Sequence, residues 1–252
     1  MKPLGIDLFC GLGGWTEGLL AEGYYVVGFD VERHHYGDAK YLAQLVLQDV
    51  LTLHGRQFKD AALIVASPPC QAYSYRAMPW KRAKALPPPD NYLFEACFRI
   101  QREACEAAGR YIPLVVENVK GAQKWVGRSR WNFGSFHLWG DVPALMPMAS
   151  GRKNNGGSWF AIGSPGQKVV GKNPVRELSG QKLPGNNAPR MWSERRVQRL
   201  ADGLRHDEDA FYCGSSGGNA RKAASAMIAK IPFALAQHIA RTWKPHDFVQ
   251  SR

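Results

Sequence analysis

The sequence predicts an α/β fold built around a doubly wound, mostly parallel β-sheet. Four apolar runs, residues 4–9, 24–29, 63–67 and 111–119, have the length of strands and alternate with segments of helical periodicity. The runs at 63–67 and 111–119 are almost wholly apolar, as is typical of strands buried on both faces of a parallel sheet. Each run ends at or close to glycine, proline or acidic residues, so polar groups should collect at the carboxyl edge of the sheet.

Helices are predicted in five segments of the chain: residues 15–20, 36–46, 91–108, 193–205 and 220–243. The last segment should be interrupted near Pro232, because proline removes a helix hydrogen bond and clashes with the preceding turn. Residues 1–145 carry the α/β pattern and are predicted to form the main domain. Residues 146–205 are basic, loop-rich and almost without periodicity, so we expect a small insertion there. Residues 206–252 are then expected to complete the main domain.

The chain is strongly basic. Its 33 Lys and Arg residues against 21 Asp and Glu residues give a net charge of +12 and a pI of about 9.6. Such an excess favours a polyanionic partner such as nucleic acid, although a basic surface without such a partner would have the same composition. No apolar stretch of about 18 residues occurs, so neither a membrane span nor a signal peptide is expected.

The cysteines are scattered and odd in number: Cys10, Cys70, Cys97, Cys105 and Cys213. A chain of this size needs no disulfide staples, and no Cys-x-x-Cys or Cys/His spacing of a zinc site is present. We therefore expect free thiols, no bound metal, and a reducing, cytoplasmic compartment.

The glycine-rich turn DLFCGLGGW, residues 7–15, connects the first predicted strand to a helix. Glycines there allow the backbone to approach a ligand, and the helix N-terminus offers free N–H groups. At the next strand end, Asp30 could accept hydrogen bonds from both hydroxyls of a ribose, with Val31 against an adenine ring. Asp49, at the third strand end, is placed to accept from an adenine amino group. A packing turn and surface carboxylates are the competing interpretations, but together these positions favour a nucleoside cofactor.

Two further strand ends carry reactive groups. In SPPCQAYS, residues 67–74, two prolines hold Cys70 at the sheet edge just after a buried strand. A free cysteine has a pKa of about 8.5 and is a weak nucleophile unless its surroundings favour the thiolate, so a buried structural cysteine is the competing interpretation. Glu117 follows a run of mostly apolar residues, which predicts desolvation and a raised pKa suited to donating or sharing a proton. An exposed acid on a loop is the alternative for Glu117.

The motifs DLFCGLGG, Asp30, Asp49, PPCQ and ENV follow one another in an order that resembles the cytosine C5 DNA methyltransferase family, over residues 4 to about 120. The resemblance implies a Rossmann-like class I methyltransferase fold, S-adenosylmethionine as methyl donor and double-stranded DNA as substrate. It also implies that residues 1–145 are the catalytic and cofactor-binding domain and that 146–205 are a target-recognition region.

The resemblance assigns a role to each matched residue. Seven residues would line the cofactor pocket: Phe9, Gly11, Gly13, Asp30, Val31, Asp49 and Pro68. Cys70 would attack carbon 6 of a cytosine flipped out of the duplex, while Glu117 would hydrogen-bond N3 and the exocyclic amine of the base. Carbon 5 would then take the methyl group, and loss of its proton would expel Cys70. Three residues after the nucleophile would help to cover the base: Gln71, Tyr73 and Ser74.

The sequence also departs from the family. The Gln-x-Arg-x-Arg motif, of which one arginine helps to orient the base, has no clean copy, and we assign this role to Arg128 and Arg130, with phosphate contact or plain solvation left open. The segment 229–240 resembles a degenerate last motif, with Ile228 and Ala229 where the family has Gly-Asn. The recognition region is short and basic, which predicts relaxed or short sequence specificity. Seven residues of this part of the chain would contact phosphates: Arg152, Lys153, Lys168, Lys172, Arg195, Arg196 and Arg199.

Two other segments have an unusual composition. WKRAKALPPPDN, residues 80–91, lies where the family has a mobile loop that closes over the flipped base, and its Lys81, Arg82 and Lys84 would suit phosphates. WNFGSFHLWG, residues 131–140, is predicted to be a core strand rather than a base-stacking surface, because aromatics at strand spacing usually pack.

Three functions compete. The first is a DNA cytosine C5 methyltransferase, monomeric and encoded by a bacterium or a phage. A tRNA cytosine C5 methyltransferase would keep the chemistry and change the substrate, and the short recognition region permits it. A catalytically weak DNA-binding relative is favoured by the missing arginine motif, whereas the intact Cys70 and Glu117 argue against it.

Overall fold

The computed structural model describes residues 2–36, 39–74, 87–146, 226 and 229–245 of the 252-residue chain. The chain divides into two compact units. The first unit consists of Met1–Tyr75, Trp80–Ser150 and Lys230–Arg252, and the second consists of Arg76–Pro79 and Gly151–Ala229. The described residues lie almost entirely in the first unit.

Several predictions fall outside the described residues and stay predictions. They are the helix at 193–205, the seven phosphate contacts between Arg152 and Arg199, and the basic residues Lys81, Arg82 and Lys84. The domain boundaries expected at 146 and 206 are likewise untested.

The described residues form nine strands and four α-helices, joined by short 3-10 turns. The strands are β1 (Leu4–Leu8), β2 (Tyr25–Asp30), β3 (His35–Tyr36), β4 (Ala39–Lys40), β5 (Gln44–Leu47), β6 (Ala61–Ala66), β7 (Leu114–Asn118), β8 (Trp131–Phe133) and β9 (Phe136–Gly140). The helices are α1 (Gly14–Ala21), α2 (Tyr92–Ala108), α3 (Gln123–Val126) and α4 (Phe233–Thr242).

Seven of these strands form one sheet in the order β5-β2-β1-β6-β7-β9-β8, and β3 and β4 form a separate antiparallel ribbon. Strands β5, β2, β1, β6 and β7 are parallel, whereas β9 is antiparallel to both of its neighbours. The chain winds outward from β1 through β2 to β5, then crosses back to β6 and continues in the other direction. This confirms the predicted doubly wound, mostly parallel sheet.

The helix predicted at 36–46 is wrong, because the chain forms β3, β4 and β5 there. The apolar residues of this segment have helical spacing, but β5 pairs with β2 in parallel register, with Asp30 opposite Leu47. Hydrogen bonding along the free edge of β2 outweighs the local periodicity, which is a tertiary effect that the segment itself does not encode.

The segment 131–140 packs in the core, as predicted, but it is a hairpin rather than a single strand. Its turn between β8 and β9 contains Gly134 at a φ of 62°, a left-handed conformation that glycine adopts without steric cost. Phe133, Leu138 and Trp139 are buried. The aromatic side chains of this segment therefore contribute to both the edge of the sheet and its hydrophobic core.

Two apolar clusters cover the two faces of the sheet. On one face, alternate residues of β1 and β6 such as Leu8 and Ile64 pack with Ile100 of α2. On the other face, Leu63 of β6 packs with Leu19 of α1 and with α4. Strand β6 is consequently buried along its whole length, which explains its continuous apolar sequence.

The C-terminal helix α4 begins directly after Pro232, which confirms the interruption predicted at that proline. It packs against α1 at Gly18, where a Cβ atom would lie 2.4 Å from the backbone of Ala236 and Gln237. An ion pair between Arg241 and Glu22, at 2.8 Å, lies beside this contact. The close approach of the two helix backbones therefore depends on the absence of a side chain at Gly18.

We expect Gly18→Ala to lower the free energy of unfolding by about 2 kcal/mol or more, because the added methyl group must displace the backbone of α4. The better helix propensity of alanine, worth about 1 kcal/mol, should not offset this. Urea denaturation measures the effect. Gly5→Ala is the matched control, since its Cβ would lie 3.3 Å from Leu19 and 3.4 Å from Tyr24, both side chains rather than backbone, and should cost less than Gly18→Ala. Equal losses in the two variants would contradict the tight helix contact.

Within the described residues no helix combines the length and hydrophobicity that a bilayer span requires. The same part of the chain contains no group of three His, Cys, Asp or Glu side chains that could hold a metal ion. Its four cysteines, Cys10, Cys70, Cys97 and Cys105, are free thiols as predicted, and Cys213 lies outside it.

Candidate active site

The winding of the chain reverses between β1 and β6, and ligands of such sheets bind in the crevice outside the carboxyl ends of these strands. The turn after β1 is strongly bent, with Phe9 at a φ of 57°, Gly11 at 50° and Gly13 at 76°. A left-handed phenylalanine is strained, whereas the glycines adopt this conformation freely. A Cβ on Gly11 would meet no described atom within 4 Å, so open space lies beside the turn.

Asp30 is almost buried at the end of β2 and is tied to this turn. Its Oδ2 accepts the Gly11 N–H at 2.9 Å, and its Oδ1 accepts the Glu32 N–H at 3.3 Å and lies 3.6 Å from Nε2 of His34. Burial opposes ionisation of Asp30, but these hydrogen bonds outweigh it and hold the pKa of the carboxyl below its usual value. A hydrogen bond with Asp30 raises the pKa of His34. Asp30 is therefore an ionised acceptor beside the open space.

Val31 and Asp49 lie at the neighbouring strand ends, as predicted. The Val31 side chain is 67% exposed, which leaves an apolar surface available to a flat ring. Asp49 follows β5 and is exposed, and its Oδ1 accepts the N–H of Leu51 at 2.9 Å. One carboxylate oxygen of Asp49 thus caps the turn that follows it.

The loop after β6 and the end of β7 are joined by a buried hydrogen bond. Asn118, fully buried, donates from Nδ2 to the carbonyl oxygen of Pro68 at 2.9 Å. Its Oδ1 accepts the N–H of Val119 at 2.8 Å. Because both oxygen and amide nitrogen are used, Asn118 holds the PPC segment against the ENV segment. Asn118 is the middle residue of the ENV motif, but the sequence did not reveal this structural role.

Cys70 is half-buried and begins the 3-10 turn Gln71–Tyr73. Its carbonyl oxygen accepts the Ser74 hydroxyl at 2.9 Å, which braces the turn. Burial raises the pKa of the Cys70 thiol, a hydrogen bond with Ser74 opposes this, and the charge of Glu117 raises it further. In the free protein the group is therefore a thiol, and a negative Glu117 would hinder its ionisation.

Glu117 is 9% exposed in β7, which pairs with β6, the strand that precedes the Cys70 loop. Burial raises the pKa of its carboxyl from 4.5 to about 8, and a hydrogen bond with Ser67 only partly opposes this. The raised pKa that the sequence predicted is confirmed. At neutral pH the side chain is protonated, so it can donate a hydrogen bond and does not repel a thiolate at Cys70.

Ser67 is a second residue whose importance the sequence did not reveal. Its Oγ accepts the indole N–H of Trp15 at 3.0 Å, so its own hydrogen is free to point toward Glu117. Trp15 belongs to α1, which follows the glycine-rich turn. The Trp15–Ser67–Glu117 contacts therefore connect the two halves of the crevice. Ser67 opens the SPPC motif, and that place before two prolines was the available signal.

Residues 4–127 match the model of the family described as C-5 cytosine-specific DNA methylase. The matched part runs from β1 to the end of α3 and contains Cys70 and Glu117. Just under half of the chain is therefore similar to this family, and this part contains the candidate site. The family predicted from the order of the motifs is thereby confirmed, while the individual roles of the site residues stay predictions.

Solved structures similar to the chain include a protein assigned as a DNA modification methyltransferase encoded within an E. coli prophage, at 22% identity and a TM-score of 0.35 over 50% of this chain and 34% of that one. The S. pombe Dnmt2 methyltransferase has 17% identity and a TM-score of 0.33 over 49% of this chain and 36% of its own. The Entamoeba histolytica methyltransferase EhMeth has 12% identity and a TM-score of 0.46 over 95% of this chain and 97% of its own. The chain thus spans about a third of the length of the first two structures. No curated protein sequence matches the chain significantly.

Arg128 and Arg130 lie on the exposed loop between α3 and β8. Strand β8 is separated from β7, and so from Glu117, by β9. Within the described part of the chain neither arginine makes a hydrogen bond or an ion pair through its side chain to Cys70 or Glu117. Their base-orienting role stays a prediction, and their position is more consistent with contacts outside the pocket.

Contacts of Tyr73 with Asn91 and Gly121 also hold the turn after Cys70 in place. Tyr73 is 3% exposed and donates its hydroxyl to Oδ1 of Asn91 at 2.9 Å. Gly121, after β7, approaches so closely that a Cβ there would lie 2.2 Å from the Tyr73 carbonyl oxygen. Tyr73 therefore anchors the loop rather than presenting a free surface to a base. Gln71 is exposed and Ser74 is half-buried, and both stay candidates for covering the base.

A chain of buried hydrogen bonds lies beneath the glycine-rich turn. Thr16 of α1 donates its hydroxyl to Oδ2 of Asp7 at 2.7 Å, and its oxygen lies 2.7 Å from the Tyr41 hydroxyl. The Thr16 hydroxyl therefore bridges Asp7 and Tyr41, and either hydroxyl can be the donor in the contact between Thr16 and Tyr41. Burial raises the pKa of Asp7 to about 8. The Tyr41 ring also contacts Gly13, where a Cβ would lie 3.0 Å from it.

We expect Tyr41→Phe to lower the free energy of unfolding by about 1 kcal/mol, because the buried Thr16 hydroxyl loses one of its two hydrogen-bond partners while the ring is kept. Thermal or urea denaturation near neutral pH measures the change. Tyr25→Phe is the control. Because Tyr25 is 51% exposed, water can take over the hydrogen bond that its hydroxyl makes, so the loss should be smaller. A larger loss for Tyr25→Phe than for Tyr41→Phe would refute the structural role of this chain of hydrogen bonds.

Proposed function

We propose that the protein methylates carbon 5 of cytosine in double-stranded DNA, with Cys70 as covalent nucleophile and S-adenosylmethionine as methyl donor. The observation that carries this proposal is the convergence of a cysteine and a protonated carboxyl group from adjacent strands. Cys70 and Glu117 lie close enough for the charge of one to alter the pKa of the other. The Asn118–Pro68 hydrogen bond holds their two segments together.

The residues at the first two strand ends fit a nucleoside cofactor. The open space beside Gly11 would admit a ligand to the glycine-rich turn, and the ionised Asp30 can still accept a hydrogen bond from a ribose hydroxyl. The exposed Val31 suits contact with an adenine ring, and the second carboxylate oxygen of Asp49 suits its amino group. Phe9, Gly13 and the buried Pro68 would complete the wall. When bound, S-adenosylmethionine would supply an electrophilic methyl group.

Cys70 would begin the reaction by forming a bond from its sulfur to carbon 6 of the flipped cytosine. The thiol proton leaves to solvent, and the electron pair of the carbon 5–carbon 6 double bond moves onto carbon 5, from which it is delocalised through carbon 4 onto N3. Glu117, protonated at neutral pH, would donate to N3 and so stabilise the negative charge that develops. Because Glu117 is then neutral or shares its proton with the base, it does not oppose the thiolate at Cys70.

The second half of the reaction would restore Cys70. Carbon 5 would use its electron pair to bond to the methyl group, and the electrons of the broken bond would stay on the sulfur of the donor. Carbon 5 would then lose its proton to water, and the electrons of that carbon–hydrogen bond would re-form the carbon 5–carbon 6 double bond. The bond between carbon 6 and sulfur breaks, which releases methylated base and free enzyme. The duplex hides both carbons within its stack, so this chemistry requires extrusion of the base. We infer that such an enzyme acts as a monomer where its DNA lies, in the cytoplasm of a bacterium or a phage-infected cell.

The deciding experiment is transfer of labelled methyl from S-adenosylmethionine to duplex DNA and, in parallel, to tRNA, followed by bisulfite sequencing. Label at carbon 5 of cytosine in DNA would support the proposal and reveal the target sequence. Label in tRNA alone would assign the same chemistry to an RNA substrate. Binding of duplex DNA without transfer to either substrate would exclude the methyltransferase and leave the DNA-binding relative.

A further inference from the structure

The connection from β7 to the β8–β9 hairpin has an unusual charge pattern. Between residues 119 and 140 the charged side chains are Lys120, Lys124, Arg128 and Arg130, and the stretch contains no Asp or Glu. All four side chains are exposed. Among the described residues none of them forms an ion pair with a carboxylate. The connection, called here the basic connection and comprising residues 120–130, therefore carries four uncompensated positive charges on one side of the sheet.

The basic connection is held in one conformation by hydrogen bonds of its own. The Gln123 side-chain oxygen accepts both the backbone N–H and the hydroxyl of Ser129, at 3.2 and 3.1 Å. The Ser129 hydroxyl lies 2.9 Å from Nδ1 of His137, and the Trp139 indole donates to the Gly127 carbonyl at 2.9 Å. The cations therefore project from a braced backbone, which lowers the entropy that would be lost when a ligand binds.

The basic connection begins at the rim of the candidate active site. Lys120 follows Glu117 by three residues, and Gly121 presses against the backbone of Tyr73 in the turn after Cys70. Burial lowers the pKa of His137, and the positive charge of Lys120 lowers it further. The electrostatic influence of Lys120 thus reaches the strand beside β7. A polyanion that entered the pocket would pass over these cations.

We propose that the basic connection binds backbone phosphates of the DNA strand that carries the target cytosine, and that Arg128 and Arg130 act there rather than on the base. This inference rests on the proposed function. Four exposed cations that pair with no carboxylate of the described residues match a polyphosphate, and guanidinium groups pair with phosphate oxygens in a bidentate manner. Arg128 and Arg130 lie beside β8, two strands from Glu117, which suits contacts with phosphates flanking an extruded nucleotide better than contacts with the base.

Phosphate contacts of this kind fix the position of the strand without reading its sequence. Each contact releases counterions, so the logarithm of the affinity falls with the logarithm of the salt concentration by about 0.9 per phosphate. Lys120 and Lys124 would contribute point charges, and the two arginines would contribute planar hydrogen-bonding groups. The catalytic unit would thereby hold its substrate strand independently of contacts made by residues 146–205.

A charge-matched pair of variants tests the proposal in the full chain. The test variant combines Lys120→Gln, Lys124→Gln, Arg128→Gln and Arg130→Gln. The control variant removes the same charge from four exposed cations elsewhere: Lys2→Gln, Arg56→Gln, Lys59→Gln and Arg102→Gln. Lys2 and Lys59 directly precede β1 and β6 at the amino edge of the sheet, and Arg102 lies in the second half of α2. Fluorescence anisotropy of a labelled duplex at several salt concentrations gives the slope, and labelled methyl transfer gives kcat and KM.

In the test variant, the slope of log affinity against log salt concentration should be shallower than in wild type by about 2 to 4. The Kd for duplex DNA should rise by about tenfold or more at about 0.1 M salt. The KM for S-adenosylmethionine and kcat at saturating DNA should stay within about twofold of wild type. The control variant should keep the wild-type slope to within about 1.

Three results would overturn the proposal, each in a distinguishable way. Wild-type methylation of DNA with equal slopes in the test and control variants would refute the phosphate contacts alone. A slope change seen with tRNA but not with duplex DNA would reassign the surface to RNA. A loss of kcat in Arg128→Lys or Arg130→Lys, with the slope retained, would return that arginine to the base. Failure of the wild-type protein to bind or methylate DNA would instead reject the proposed function itself.

Discussion

Replacing Cys70 with serine is expected to lower methyl transfer to DNA by at least about 10³-fold, because the weakly acidic hydroxyl cannot attack carbon 6 under the same conditions. The same substitution should abolish the covalent adduct on duplex DNA that contains 5-fluorocytosine. Fluorine cannot leave carbon 5 as the proton does, so an active enzyme remains attached through the sulfur–carbon 6 bond. Denaturing gel electrophoresis with labelled DNA detects the adduct, and scintillation counting measures transfer.

The matched control is Cys105→Ser. Cys105 is a half-buried free cysteine at the far end of α2, where its sulfur accepts the N–H of Ile112 at 3.2 Å. A serine oxygen can accept the same bond, so activity and adduct should both persist. An adduct in Cys70→Ser, or its loss in Cys105→Ser, would show that Cys70 is not the nucleophile.

Replacing Glu117 with glutamine is expected to lower kcat by about 10²- to 10³-fold, because glutamine can donate a hydrogen bond to N3 but has no proton to share. The wild-type rate should also fall as the pH rises through about 8, where the Glu117 carboxyl ionises. Ionised Glu117 would neither donate to N3 nor tolerate a thiolate at Cys70. Single-turnover rates between pH 6 and 9 measure both effects.

The same substitution is expected to stabilise the free protein at alkaline pH. The folded-state pKa of Glu117 is about 8 against an ordinary value of 4.5, so between these pH values only the unfolded chain releases the proton. The wild-type free energy of unfolding must therefore fall as the pH rises from about 4.5 to about 8, by on the order of 4 kcal/mol from this group. Glu117→Gln removes this term, so its advantage over wild type should be absent near pH 4.5 and largest at pH 8 and above.

The control for both readouts is Glu106→Gln, which changes an exposed carboxylate on α2. It should leave kcat unaltered and change the stability by less than about 0.5 kcal/mol at any pH. Since Asp7 also has a raised pKa, the comparison depends on the difference between variant and wild type rather than on either pH profile alone. A Glu117→Gln variant that is less stable than wild type at pH 8 would contradict a buried, protonated Glu117.

The opposite signs expected for activity and stability distinguish a functional residue from a structural one. A carboxyl group buried among apolar strands costs stability whenever it ionises, and a structural role would not require that cost. Gly18 behaves in the opposite way, because its replacement affects helix packing far from the crevice. The two kinds of residue can thus be separated by measuring stability and kcat in the same variants.

The sequence by itself determined the fold class and the positions of the reactive groups. Apolar runs that end in glycine, proline or acid mark parallel strands and their carboxyl ends, and the order of these ends resembled one family over residues 4 to about 120. The sequence also predicted a raised pKa for Glu117 beside the alternative of an exposed acid, because a carboxyl group that follows an apolar run is desolvated where that strand packs.

Only the tertiary structure decided what each group is joined to. The edge of β2 makes a strand of a segment whose local pattern is helical, and the Asn118–Pro68 and Ser67–Trp15 hydrogen bonds bridge residues 50 and 52 positions apart. The exposure of the cations in the basic connection, and the absence of a carboxylate partner for them among the described residues, likewise depend on which side chains surround them. The hydrogen-bond partners of a polar group and the exposure of a charged one depend on residues distant in the chain, so no local pattern predicts them. The burial of an apolar strand, in contrast, can be predicted from its own residues.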